Sequence, residues 1–497
     1  MTTTPHDTNL DWDPEAFERH LHQACELVLR LYQGLDEVRI TPAAARREIA
    51  SLFDQPLPEQ GQNMEEVLRE VERNVLPSST LGLSPRFFGY INGGGNQAAI
   101  VAELLATALN QICAKWQFGP CATEIERRVI RWIAEFLDFP AAAGGCLLSG
   151  GSTGNLVGLA LARTRRAPFD AATLGQRGGP PLTVYVSQEG HASIEKSLVL
   201  LGMGRESLRK IPVREDFTVD LDLLAAAIEA DRRAGCHPLC VVGNAGTTNT
   251  GAVDPLDALA ELCERHGLWF HVDAAYGGPA AGTAQAGALF RGLSRADSLV
   301  VNPHKWLFQP VEVACILVRE PAALRDTFRI AADYLREEGD LESEGSLDFK
   351  DYGPQLSRSF RALKVWMTLK AYGARRLREA IGSDIEIMQH LARRIDESQD
   401  FVRLAPVPLS AVCFQYRTPD ASLHENLELL NTLNDRLEEA VARDGRVFVS
   451  GTWLHGRRVL RACSVNHRLR REDVELLLAV VREIGLRLSS GLPGGPS

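Results

Sequence analysis

The chain has 497 residues and a net charge of −10, with 45% hydrophobic and 24% charged residues. That is the composition of a soluble globular protein with room for two or three domains. The acidic balance argues against a nucleic-acid partner, because binding phosphates needs clustered Lys and Arg.

The first residues, MTTTPHDTNLDWDP, lack the basic and apolar regions of a signal peptide. The longest apolar stretch, 98–109, is broken by Glu103 and is too short to span a bilayer. A cytoplasmic chain with no membrane span is therefore expected. Ten cysteines without a C-x-x-C pair read as free buried thiols.

Residues 14–75 carry helical patterning with a polar break at 55–63, and we take 1–80 as an N-terminal helical segment. A large domain is expected over 81–375. Ile125, Val129, Ile130, Trp132, Ile133, Phe136 and Leu137 form one apolar helical face. Short apolar runs then recur at 146–148, 184–186, 239–242, 268–272 and 299–301, each bounded by polar residues or Gly, as buried parallel strands are. Between two of them, Asp254 is placed to cap a helix, Pro255 to open it and Gly267 to stop it. The pattern is α/β, with a mostly parallel sheet covered by helices on both faces. Residues 330–356 are acidic and aperiodic and read as a long loop. A long helix is expected from Arg358, then a small α/β domain over 376–490 and a terminal tail from Gly491.

Ligands in such sheets bind beyond the carboxyl ends of the strands. The expected strand tips read Ser149-Gly-Gly-Ser-Thr-Gly-Asn155, Ser187-Gln-Glu-Gly-His191, Gly243-Asn-Ala-Gly-Thr-Thr-Asn249, Asp273-Ala-Ala-Tyr-Gly277 and Asn302-Pro-His-Lys-Trp306. A Gly/Ser loop opening a helix makes an anion site, though alone it is more often a plain turn. A carboxylate at Asp273, after a buried strand, needs a partner: a cap or salt bridge in the bland reading, a pyridinium N–H in the other. A lone Lys305 is ordinarily a solvated charge, but a desolvated lysine is a nucleophile that condenses with carbonyls. His191 is a core histidine or a partner for a flat ring. The joint occurrence of these residues at successive strand tips favours the chemical reading of each.

Asn302-Pro-His-Lys-Trp306 resembles the lysine motif of the group II pyridoxal-5′-phosphate (PLP)-dependent decarboxylases, and His271-Val-Asp-Ala-Ala-Tyr276 and Gly246-Thr-Thr248 resemble that family's other cofactor motifs. The likeness runs from about residue 85 to 373 and is closest to the aromatic-L-amino-acid and tyrosine decarboxylases. It implies the aspartate-aminotransferase-like fold type I, PLP as cofactor and a homodimer with the site at the interface.

The resemblance also implies roles for individual residues. Lys305 would hold PLP covalently, Asp273 would pair with its ring nitrogen, and His191 and Ala275 would lie against the ring, with Thr248 at its edge. Gly151, Ser152, Asn302 and His304 would serve the phosphate. Tyr334 would donate the proton that completes the reaction, from a loop closing over the substrate. Tyr90, Trp116, Ser357 and Arg358 would contact substrate. No metal is implied.

Asn92-Gly-Gly-Gly95 departs from the Pro-Thr pair of the aromatic-acting members, and we expect these glycines to widen the pocket wall for a bulky ring. Aldehyde synthases on the same scaffold often replace the loop Tyr or the stacking His. Both are retained here, so decarboxylation of an L-amino acid to its amine is expected, with an aromatic substrate. Decarboxylation of an acidic amino acid is the runner-up, and a non-catalytic PLP-binding protein the reading from another class.

Overall fold

The computed structural model describes residues 9–329, 347–418 and 424–490. Its centre is a seven-stranded sheet: β1 (Gly144–Leu148), β2 (Leu182–Ser187), β3 (Leu208–Ile211), β4 (His237–Asn244), β5 (Trp269–Asp273), β6 (Ser298–Val301) and β7 (Ala314–Val318), in the order β1-β7-β6-β5-β4-β2-β3. β7 is antiparallel to both of its neighbours, and the strands from β6 to β3 pair in parallel. Every residue of β2, β5, β6 and β7 is buried, as a sheet covered on both faces requires. The five expected strands are present; β3 and β7 complete the sheet.

One local expectation fails. Asp254 does not cap the helix Leu256–His266, whose N-cap is Pro255. Its carboxylate is buried and accepts from Val219 N–H, Asn244 N–H and the Asn244 amide, each at 2.8 Å. Burial pushes its pKa up to about 6, against those hydrogen bonds. The donors at the end of β4 are stronger partners than the first turn of a surface helix. Gly267 takes the left-handed stop as expected (φ 66).

The helix Ala362–Asp396 leads out of the large domain and breaks its helical geometry at Gly373 (φ 74, ψ 154). Beyond it, β8 (Phe401–Arg403), β9 (Ala411–Tyr416), β10 (Ser450–Leu454) and β11 (Arg457–Cys463) form an antiparallel sheet in the order β10-β11-β9-β8. The helices Leu427–Asp444 and Arg471–Ser489 cover it over a core that includes Val412, Phe414, Leu437 and Leu477. The N-terminal helix Pro14–Gln33, capped by Asp13, has a single buried residue, Ala16. The segment after it is tied to the small domain by Ile40 N–H on Gly445 O (2.9 Å).

Residues 330–346, which hold Tyr334 and most of the expected loop, and the tail from Gly491 lie outside the described residues.

Candidate active site

The strand tips converge. A cavity of about 270 Å³ beyond the carboxyl ends of β1, β2, β4, β5 and β6 is lined by Gly151, Ser152, Asn155, Glu189, His191, Asn244, Thr248, Asp273, Ala275, Asn302, His304 and Lys305, among others. All nine residues expected at a cofactor are therefore in one place.

Lys305 sits in the one-turn helix Pro303–Trp306 that follows β6. Burial lowers its pKa; Asp273 opposes that shift, and Arg461 reinforces it. The amine is thus easier to deprotonate, as a carbonyl-condensing lysine requires. Asp273 ends β5. Its Oδ2 accepts from the Asn155 amide at 2.8 Å and its Oδ1 from Ala275 N–H at 3.1 Å, so both oxygens meet donors only. His191 accepts at Nδ1 from Ser193 N–H (3.2 Å), with the Ser193 hydroxyl 2.7 Å away. Burial lowers its pKa, so the ring is neutral at neutral pH with its proton on Nε2.

The helix Gly151–Arg166 begins at the cavity with its first N–H groups free for an anion. A Cβ on Gly151 would lie 2.9 Å from the Asn302 amide and 3.3 Å from Ala275 Cβ, so a side chain there would fill the cradle. His304 Nδ1 accepts from Val313 N–H (3.1 Å), and burial holds its pKa down at about 4. The neutral ring therefore carries its proton on Nε2, 3.3 Å from the Asn302 side-chain amide. We assign that amide with its oxygen toward Nε2–H. The assignment gives the otherwise unpartnered Asn302 oxygen a donor and turns the NH2 group to the anion cradle. A phosphate cradle, a carboxylate for a ring nitrogen and a desolvated lysine in one cavity fit PLP.

The four residues expected at the substrate do not line this cavity. Arg358 is a buried structural bolt. Its Nη1 donates to Cys113 O (2.8 Å), its Nη2 donates to Leu147 O (2.7 Å) and pairs with the buried Glu126, and its guanidinium lies 5.0 Å from the Phe349 ring centre. Ser357 borders a separate surface groove. Tyr90 (φ 53) and Trp116 are solvent-facing; Tyr90 contributes its carbonyl to Arg461, and Trp116 donates its backbone N–H to Asp348 (3.0 Å).

The glycine run does not widen the pocket either. A Cβ on Gly93 would stand 2.4 Å from the Lys305 carbonyl oxygen, and one on Gly94 would stand 2.5 Å from Asn466 Oδ1. Gly93 lets the segment press against the backbone that carries the lysine, and Gly94 lets it press against the Asn466 side chain. Trp306 does not line the cavity; it stacks at 5.1 Å on Tyr276, which does, and donates its indole N–H to Asp384 at 2.9 Å.

Sequence reasoning missed two charged groups. Glu189 lines the cavity; burial raises its pKa, and the Asn249 amide donates to it at 2.9 Å. Its place in the Ser187–His191 tip was a signal for it. Arg461, on β11, donates to Asn249 O and Tyr90 O, both at 2.9 Å, while its buried Nη2 has no hydrogen-bond partner among the described residues. No motif pointed to it.

The model of the pyridoxal-dependent decarboxylase conserved domain matches residues 46–417. The chain belongs to the pyridoxal-dependent decarboxylase family. It is 32% identical to an aromatic-L-amino-acid decarboxylase of Bacillus atrophaeus over 98% of both chains, and 30% identical to a phenylacetaldehyde synthase of Petunia hybrida over 90% of both. Among solved structures, Oryza sativa TDC with PLP and tryptamine superposes with a TM-score of 0.90 at 28% identity, covering 96% of this chain and 99% of that one. The fold is thus the PLP decarboxylases' fold type I, and PLP is the cofactor. As a family member the protein is a PLP-dependent carboxy-lyase, and the cavity holding Lys305 is where its residues meet the cofactor's requirements.

Proposed function

We propose that this decarboxylase converts an aromatic L-amino acid to its amine and CO2, as a cytoplasmic homodimer. PLP, when bound, supplies an electron sink for the pair left behind as CO2 departs. Lys305 would hold the cofactor, and Asp273 would keep a proton on its ring nitrogen. His191 and Ala275 would bound the ring. Gly151, Ser152, Asn302 and His304 would receive the phosphate, with Thr248 at the ring edge. Tyr334, by resemblance, would return a proton to the substrate carbon.

The observation that carries the substrate reading is the charge set at and beside the cavity. Arg461, which does not line the cavity but whose charge acts on Lys305, offers one buried cation with an open donor, suited to an α-carboxylate. An acidic amino acid brings a second carboxylate. The remaining cationic side chain, Lys305, is committed to the cofactor, and Glu189 would repel that second carboxylate. An uncharged ring brings no such conflict. Relatives named for aromatic substrates agree with this choice.

Two copies are supported by apolar side chains that the described residues leave uncovered. Val101, Leu104, Leu105 and Leu109 on the helix Gln97–Leu109 are exposed, as are Ile112 and Phe118 after it. A second chain laid there would cover Trp116 as well. No helix among the described residues is long and apolar enough to cross a membrane.

The test is a panel of L-amino acids assayed for CO2, amine, aldehyde and ammonia. We expect amine and CO2 in equal amounts, with Phe, Tyr, Trp or their hydroxylated forms preferred. Faster turnover of Glu or Asp would refute the substrate, aldehyde with ammonia as main products would refute the reaction, and an active monomer in sedimentation would refute the dimer.

A further inference from the structure

Behind the cavity a line of buried polar groups crosses from the sheet to both functional residues. Trp269 Nε1–H donates to Ser298 Oγ (2.8 Å), and Ser298 Oγ lies 2.8 Å from His271 Nδ1. His271 Nε2 lies 2.9 Å from Asn155 Oδ1. The Asn155 amide nitrogen donates to Asp273 Oδ2 and to Ser193 Oγ, both at 2.8 Å. Ser193 Oγ lies 2.7 Å from His191 Nδ1. His271 and Ser298 are wholly buried, and Asn155 is 1% exposed, so water does not substitute for the partners of these three residues.

The direction of the protons in this line follows from the Asp273 carboxylate, which only accepts. Asn155 must turn its N–H bonds toward Asp273 and Ser193 and face His271 with its amide oxygen. His271 must then carry a proton on Nε2, and, kept neutral by burial, which pulls its pKa down to about 4, it leaves Nδ1 to accept from the Ser298 hydroxyl. The Trp269 indole donates to that same hydroxyl oxygen. The Ser193 proton is left for His191 Nδ1, in agreement with the Ser193 N–H that points at the same lone pair. Gly158, one turn along from Asn155, leaves the room this requires: a Cβ there would stand 2.3 Å from the His271 ring.

We propose that Asn155 is a positioning residue that fixes both the donor set around Asp273 and the tautomer of His191, its amide held between the Asp273 carboxylate on one side and the His271–Ser298–Trp269 line on the other. One amide thereby sets two features of the cofactor pocket together. The inference rests on PLP occupying the cavity; if that reading failed, the wild-type apo-protein would take up no PLP at all.

The test is Asn155→Asp, which keeps the shape and removes the donors. The titratable groups facing position 155 are Asp273 and His271 from β5, His191 from the turn after β2 and Lys305 across the cavity. A carboxylate at 155 meets Asp273 as like charge, so the Kd for PLP relative to wild type rises about tenfold or more near pH 8. As pH falls toward about 6 the new acid takes up a proton and regains one donor, and the gap narrows. Asn155→Ala loses at least as much affinity, and its gap does not narrow. Binding by Asn155→Asp within about threefold of wild type at pH 8, or a gap that ignores pH, overturns the proposal. Should the variant not fold, 15N NMR of histidine-labelled wild-type holoenzyme decides, with the His271 signal identified by its loss in His271→Gln. Neutral Nε2–H rings at His271 and His191 between about pH 6 and 8 support the relay; an imidazolium or an Nδ1–H tautomer at either refutes it.

Discussion

Replacing Arg461 by Met removes two kinds of interaction. The first is structural. Nε and Nη1 hold the backbone carbonyls of Asn249 and Tyr90 at 2.9 Å, and truncation removes both bonds, with Asn249 O keeping the Cys413 thiol at 3.2 Å. At about 0.5–1.5 kcal/mol for each net hydrogen bond, the folded state loses roughly 1–3 kcal/mol, which a denaturant melt will register. The second is functional. If the open Nη2 meets the substrate carboxylate, one charge-assisted hydrogen bond worth about 1.5–3 kcal/mol disappears, or roughly 10–150-fold in affinity. The two effects separate with a matched pair of competitive inhibitors. A 3-arylpropionate has the carboxylate and no amine; the corresponding arylethylamine has the amine and no carboxylate. For Arg461→Met the inhibition constant of the arylpropionate should rise about 10–150-fold, while that of the arylethylamine should stay within about threefold. Arg461→Lys, which keeps a charge but not the fork, should fall between. Equal weakening of both ligands would mean that Arg461 only shapes the site, and the charge argument for an aromatic substrate would lose its main support.

Three further outcomes follow from the packing. Burial pushes the Asp384 carboxyl up to about 8, partly offset by the Trp306 indole bond, so the folded state keeps a proton that the unfolded chain releases near pH 4. The stability this contributes is complete below about pH 4 and is lost as pH rises to about 8. Asp384→Asn should flatten that slope and be the more stable form at pH 8, and an unchanged urea-midpoint profile from pH 5 to 8 would contradict it. Arg358→Met leaves Glu126 as an uncompensated buried charge and should lower stability by about 3–5 kcal/mol, with Glu126→Gln in the same chain restoring part of the loss; a cost confined to kcat would instead return Arg358 to the substrate. Borohydride treatment of the holoenzyme should leave the pyridoxyl group on Lys305 by peptide mapping, and Lys305→Ala should lose that label; label on any other lysine would end the assignment.

The site's chemistry was legible because it lies at strand tips. A buried parallel strand reads as an apolar run, and the first polar residue after it falls at the sheet's carboxyl edge. Asp273, His191, Lys305 and the Gly150–Ser152 turn were all reached that way, and the cavity contains each of them. The residues assigned from resemblance outside the strand tips fared differently. Arg358 is buried in an ion pair with Glu126 and does not line the cavity, and Tyr90 and Trp116 face solvent in a single chain. β3 and β7 escaped attention for opposite reasons. Leu208–Ile211 is half-exposed and short, whereas Ala314–Val318 is apolar throughout but runs antiparallel, so the Arg319-Glu320 pair after it falls at the opposite edge of the sheet from the other tips. Arg461 was out of reach because it belongs to the other sheet, where only the folded chain brings β11 against the Asn249 turn.

The relay behind Asp273 shows how two regular periods build a catalytic pocket from residues that look ordinary one at a time. On β5, residues 271 and 273 share a face because strand side chains alternate, and Val272 turns to the other. On the helix Gly151–Arg166, positions 151, 154, 155 and 158 share a face because three, four and seven residues approximate whole turns. Three of those four are Gly. A Cβ on Gly154 would stand 2.2 Å from Val300, and one on Gly158 would strike His271, so the helix lies almost against the sheet. Close approach leaves no space for water and brings the short Asn155 amide within 2.9 Å of both His271 and Asp273. The helix therefore does two things at once: its N-terminus offers N–H groups to a phosphate, and its small-residue face holds the carboxylate meant for the ring nitrogen. A side chain at 158 would push the helix outward, lengthen the Asn155 bonds and move the phosphate cradle away from Asp273. The spacing between the two ends of the cofactor is thus set by the packing of one helix on one strand.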